Sequence, residues 1–82
     1  MKALGTLTAR AVASAIAEAR KAVGLTQREL AARVRRPHSI IGMIESNQRQ
    51  VTVPELITIA EALGIDPVVL FKRVLRDRKG VT

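Results

Sequence analysis

Eighty-two residues make one domain, near the lower size at which a hydrophobic core holds a fold without a covalent or metal staple. The chain has no cysteine and a single histidine, which excludes disulfides, thiolate metal sites and His-rich metal centres. Fourteen Lys and Arg against seven Asp and Glu give +7, a surplus that attracts polyanions, while a lone aromatic, Phe71, argues against stacking on unpaired bases.

Ala stands at every odd position from Ala9 to Ala19, a period of two that by itself suggests a strand. Ala is the best helix former and a poor strand former, so propensity overrides the alternation. Val12, Ile16, Ala19 and Val23 keep helical spacing and Gly24 is a natural stop, which predicts helix 1 from about Thr8 to Val23. The same N-terminal stretch is basic, Ala-rich and poor in acid, as targeting peptides are. Arg10, Ser14 and Glu18 divide it, however, and it reads as mature structure. No apolar run approaches the roughly 18–20 residues of a membrane span, so the expectation is a cytoplasmic protein without a membrane partner.

Thr26 and Glu29 form a capping box that starts helix 2 at Gln27, and Pro37 stops it near Arg35 by disfavouring helical geometry at Arg36. Helix 3 follows from about His38 to Ser46, with Pro37 at its first turn. A polar loop leads to a second capping box, Thr52 and Glu55, which opens helix 4 with the apolar face Leu56, Ile59, Ala60 and Leu63. Asp66 and Pro67 start helix 5, expected over about 67–77, with Leu70, Phe71, Val74 and Leu75 ahead of a charged tail. The fold class is therefore all-α: a compact five-helix bundle in one domain, 1–82.

Helices 2 and 3 carry a more particular signal. Leu30 and Val34 lie four apart, Ile41 and Ile44 three apart, so each helix has a narrow apolar stripe to press on the other. Ala31 falls where the two approach most closely. A DNA reader needs this arrangement, because its second helix must be held at a fixed angle with the outer face free for a groove. The segment 26–46 is thus a helix-turn-helix.

His38 and Ser39 open helix 3, the end that enters the major groove in such motifs, and both can hydrogen-bond base edges. Ser39 capping its own helix, and His38 being merely exposed, are the alternatives. Ile40 and Met43 rotate toward the outer face, where they would meet thymine methyl groups or, alternatively, pack on a core or partner. Gly42 would let the backbone come close to DNA. Arg35 and Arg36 in the turn, and Arg49 in the loop after helix 3, would lie beside a duplex backbone, where each neutralised phosphate releases counterions; solvated surface arginines are the alternative. Arg28 and Arg33 read as ordinary exposed helix charges.

GLTQRELA at Gly24–Ala31, the Ile44–Glu45 pair, Arg49 and LITIAEALGI at Leu56–Ile65 together resemble the phage-repressor-type (Cro/repressor, XRE) helix-turn-helix family over about Val12 to Leu70. RPHS at Arg36–Ser39 is similar to an RPQS variant in one subgroup. The resemblance implies a lambda-repressor-like domain that binds operator DNA as a symmetric dimer and regulates transcription. It also implies that Gln27 hydrogen-bonds a phosphate, that Arg49 reaches phosphate or base, and that Arg20 and Glu45 form a structural ion pair. Arg35 departs from the family, which often has Gly there; a positive φ costs Arg about a kcal/mol or more, so a different turn or one more helical residue is expected.

The resulting expectation is a sequence-specific double-stranded DNA-binding regulator, a repressor acting as a homodimer on an inverted repeat, with Val69, Phe71, Val74 and Leu75 of helix 5 as the dimer surface. An antitoxin-like or adaptor protein that binds a partner protein is the alternative. An architectural protein that coats DNA by charge is a third. No nucleophile–base pair, metal set or phosphate-cradling Gly loop is present, so neither an enzyme nor a cofactor is expected.

Overall fold

Three threonines start helices in the same way, each offering its hydroxyl to a backbone N–H three residues on. Thr6 accepts from Ala9 at 3.0 Å, Thr26 from Glu29 at 3.0 Å and Thr52 from Glu55 at 3.2 Å. At Thr26 and Thr52 the glutamate returns the bond to the cap's own N–H, at 2.8 and 3.0 Å, and completes both capping boxes. The computed structural model describes residues 6–80. Its helices are α1 (Leu7–Val23), α2 (Gln27–Arg33), α3 (His38–Glu45), α4 (Val53–Ala62) and α5 (Pro67–Gly80), with no strand among the described residues. Residues 1–5 and 81–82, and with them the start of the N-terminal stretch and the outer bounds of the expected domain, lie outside the described residues, as does the Lys79 side chain.

Four of these helices also end alike. In each, a residue in the left-handed region donates its N–H three residues back and the next residue donates five back, the Schellman arrangement. The left-handed residues are Gly24, Arg35, Asn47 and Gly64, with φ of 88°, 57°, 60° and 74°. At Arg35 the bonds are Arg35 N–H to the Ala32 carbonyl (3.2 Å) and Arg36 N–H to the Ala31 carbonyl (3.0 Å). The expectation of a different turn, or of a longer second helix, is therefore corrected. The helix ends at Arg33, and Arg35 itself takes the conformation that favours Gly.

Ile16, Leu30, Ile41, Ile44 and Leu70 are the largest fully buried side chains, one or more from α1, α2, α3 and α5. Each stabilises the fold by about 1.5–3 kcal/mol relative to exposure. α1 packs most extensively on α5, and α2 on α3. From α1 the core takes Ala11, Ala15, Ile16 and Ala19, whereas Val12 is half-buried and Val23 is 44% exposed. Small residues four apart leave room for close helix packing, and Val23 lies on the last turn, past the core. α5 does not end near 77 but continues to Gly80, consistent with the good helix propensity of Lys and Arg. Among the described residues no helix is long and apolar enough to cross a membrane.

Candidate nucleic-acid interface

Arg20 sets the position of α3. Its Nε donates to Glu45 Oε2 at 2.6 Å and its Nη2 to Oε1 at 2.9 Å, while Nη1 donates to the Leu25 carbonyl at 2.7 Å. One buried guanidinium thus joins α1, the loop after it and the last residue of α3. Burial pushes the Glu45 carboxyl up, but hydrogen bonds from Arg20 and Gln27, with the Arg20 charge, outweigh it and hold the group below its ordinary value. The hydrogen bond to Glu45 raises Arg20 in turn, against the opposing effect of its own burial.

Gln27 turns toward this pair rather than away from the protein. Its Nε2 donates to Glu45 Oε1 at 2.9 Å, and its Oε1 lies where a Cβ on Gly42 would be 3.4 Å away. Gly42 therefore faces the Gln27 side chain at the start of α2. A Cβ there would meet the Gln27 amide at an ordinary contact distance.

On the outer side of α3, His38, Ser39 and Met43 are exposed. Ile40 is not their companion, because it is half-buried and packed against the core. It lines a groove with Val34, Pro54 and Thr58, and its assignment to base readout is corrected to packing. Gln27, Arg28, Thr26 and His38 border one open depression between the starts of α2 and α3, with Arg20 at its floor. Arg28, read from the sequence as an ordinary exposed helix charge, is exposed and lies in the first turn of α2 near His38. Arg33, also read as an ordinary surface charge, donates to the Ala62 carbonyl at 3.1 Å and satisfies the end of α4.

The three flanking arginines fall into two kinds. Arg35 is exposed, and Arg36 keeps 52% of its side chain exposed with its Nη2 3.8 Å from Glu55 Oε2. Arg49 is held more closely: its Nη1 donates to Glu55 Oε1 at 3.1 Å and to the Gln50 carbonyl at 3.2 Å, and its Nη2 donates to Glu55 Oε2 at 2.6 Å. Hydrogen bonds from Arg49 are the largest reason that the Glu55 carboxyl is lowered to about 2. In the sequence Glu55 was visible only as the second member of a capping box. The one available signal was a basic residue six positions earlier.

On α5, Val68, Val69, Phe71 and Leu75 are exposed. Val74 is buried at 3% exposure and belongs to the core with Leu70, one turn away, so its assignment to a dimer surface is corrected. Val68, which the sequence reading omitted, joins the exposed group. Of the α5 cations, Lys72 and Arg78 are exposed and Arg76 pairs with Asp77 at 2.9 Å. No cluster of His, Cys, Asp or Glu able to hold a metal ion occurs among the described residues.

The helix-turn-helix family profile matches residues 16–70. Among curated proteins no relative matches the sequence. Among solved structures, an XRE-family like protein from Pseudomonas syringae pv. tomato str. DC3000 is 35% identical, with 84% of each chain covered and a TM-score of 0.77. The restriction-modification controller protein C.Esp1396I, solved as a tetramer in complex with its natural 35 base-pair operator, is 28% identical over 88% of this chain and 95% of its own, with a TM-score of 0.81. The clp gene regulator ClgR from C. glutamicum, 23% identical with 84% and 90% covered and a TM-score of 0.79, shares the fold. With its profile matched over more than half of its length, this chain belongs to the XRE-type helix-turn-helix family of DNA-binding transcription regulators.

Proposed function

We propose that this chain is a single-domain, sequence-specific reader of double-stranded DNA that represses transcription as a homodimer by occupying an inverted-repeat operator. The observation that carries the reading is the state of α3. Its inner face, Ile41 and Ile44, is buried and its end is clamped by Arg20, while His38, Ser39 and Met43 stay exposed beside Arg28, Arg35 and Arg36. In this reading His38, Ser39 and Met43 contact base edges. Arg28, Arg35 and Arg36 contact phosphates, with Arg49 beside them, and exposed Gln27 reaches one through the Nε2 hydrogen it does not give to Glu45.

Exposed Val68, Val69, Phe71 and Leu75 on α5 support a second copy as the partner of that face. C.Esp1396I, solved as a tetramer on its operator, supports the assembly of more than one copy on DNA. Two-fold symmetry then sets half-sites about 34 Å apart. The protein would work in the cytoplasm, at the nucleoid when bound, and requires no cofactor.

Selection of bound sequences from a random duplex pool tests the whole reading. The expected result is an enriched inverted repeat whose retention falls steeply with salt. Retention of every duplex alike would replace this reading with an architectural protein. Retention of none would leave the protein-binding adaptor.

A further inference from the structure

Glu55 lies within reach of both cations that flank α3 on the α4 side. Its carboxylate takes two hydrogen bonds from Arg49, at 3.1 and 2.6 Å, and stands 3.8 Å from the Arg36 guanidinium. It also closes the capping box of α4, so its own position is fixed by Thr52. The Glu55 side chain is only 15% exposed and that of Arg49 only 29%, so the pair is shielded from bulk screening more than a surface ion pair would be. Both Nη atoms of Arg49 are engaged, one of them twice, which leaves its Nε and one Nη2 hydrogen to donate elsewhere.

We infer that Glu55 is a specificity-determining residue that acts through Arg49: it removes Arg49 from the pool of free phosphate-seeking charge and holds its remaining donors in one direction. This rests on the DNA-binding reading above and deepens it. A free arginine next to a duplex follows any phosphate and adds equally to every sequence. A tethered arginine with its charge matched by a carboxylate adds little to nonspecific attraction. It contributes fully only where an acceptor meets its fixed donors. Glu55 thus lowers affinity for random DNA more than for the preferred site.

The test uses the full chain, a duplex recovered from the selection and a random duplex of equal length, with fluorescence anisotropy over a series of KCl concentrations. Glu55→Gln preserves the capping box, since Gln serves at that position, and removes the charge. The expected result is several-fold tighter binding to the random duplex and a roughly tenfold smaller preference for the selected one. The slope of log K against log salt steepens by about 0.9, the value for one added phosphate contact. Adding Arg49→Gln should return the slope to that of the wild type. Thr52→Ala, which removes the cap and leaves the Arg49 pair, should lower the melting temperature without moving the preference. Should Glu55→Gln not fold, Arg49→Gln alone is measured instead: the random-duplex slope should stay that of the wild type while the preference falls, and a shallower slope with unchanged preference would overturn the inference. A wild-type slope and preference in the folded Glu55 variant would overturn the inference and leave the DNA-binding reading intact. Failure of the wild-type chain to bind either duplex would overturn that reading itself.

Discussion

Arg20 and Glu45 are joined by two parallel hydrogen bonds, 2.6 and 2.9 Å long, between residues 25 apart in the sequence. Both side chains are more than nine-tenths buried, so neither charge has water to fall back on. Arg20→Ala or Glu45→Ala should destabilise the protein by about 3–5 kcal/mol, because each strands the other charge. Replacing both with apolar residues of similar volume should cost less than either single change. Arg20→Lys should rescue little, since an ammonium cannot make the forked contact. Urea unfolding of the four variants measures these differences; a double variant as unstable as the worse single would refute the stranded-charge account.

Arg35 carries strain at the turn between α2 and α3. Arg35→Gly should raise stability by about 1 kcal/mol by relieving a left-handed φ of 57°. Arg35→Ala should not, because Ala is disfavoured in the same region. Both variants should lose about one phosphate's worth of salt dependence, roughly 0.9 in slope, when binding to DNA is measured. Equal melting temperatures for the two would show that strain at this position is not what separates them.

Gly42 packs beside Gln27 rather than facing solvent, and a Cβ there would lie 3.4 Å from a movable amide oxygen. Gly42→Ala should therefore be tolerated and stabilise α3 by up to about 1 kcal/mol through helix propensity. Gly42→Leu should displace the Gln27 amide from Glu45 and destabilise. Thermal unfolding of both variants gives the comparison, and a destabilised alanine variant would mean that the Gln27 amide does not yield.

Acid should weaken the fold through its paired carboxylates. Glu55 is lowered from 4.5 to about 2, and Glu45 and Glu29 are also held below their ordinary values, Glu29 by hydrogen bonds from the Thr26 backbone and hydroxyl. A carboxyl with a depressed folded-state value binds more protons when unfolded, so stability is full above the unfolded value and falls as pH drops. For Glu55 the loss should run from about 4.5 down toward about 2. Chemical denaturation between pH 7 and 2 should show a plateau and then a decline, and Glu55→Gln should make the decline shallower. An unchanged profile in that variant would remove Glu55 from the acid response.

The helices and their starts were legible in the amino-acid order because they depend on neighbours three or four residues apart. Thr26 with Glu29, Thr52 with Glu55, and the stop at Gly24 all act within one turn of chain. The apolar spacing of Leu30, Ile41 and Ile44 is equally local, and it carried the helix-turn-helix and the exposed positions of His38, Ser39 and Met43. The tertiary structure decided what lies across the helix crossings. It turned Gln27 inward to Glu45 and set Gly42 against it. It also packed Ile40 half-buried against the core, took Val74 into it, and tied Arg49 to Glu55. Helical periodicity ranks a helix's faces only approximately, so Ile40 and Val74, at the edge of an apolar face, were not placed by it. Two side chains that meet from different helices are chosen by the packing angle, which no single helix encodes.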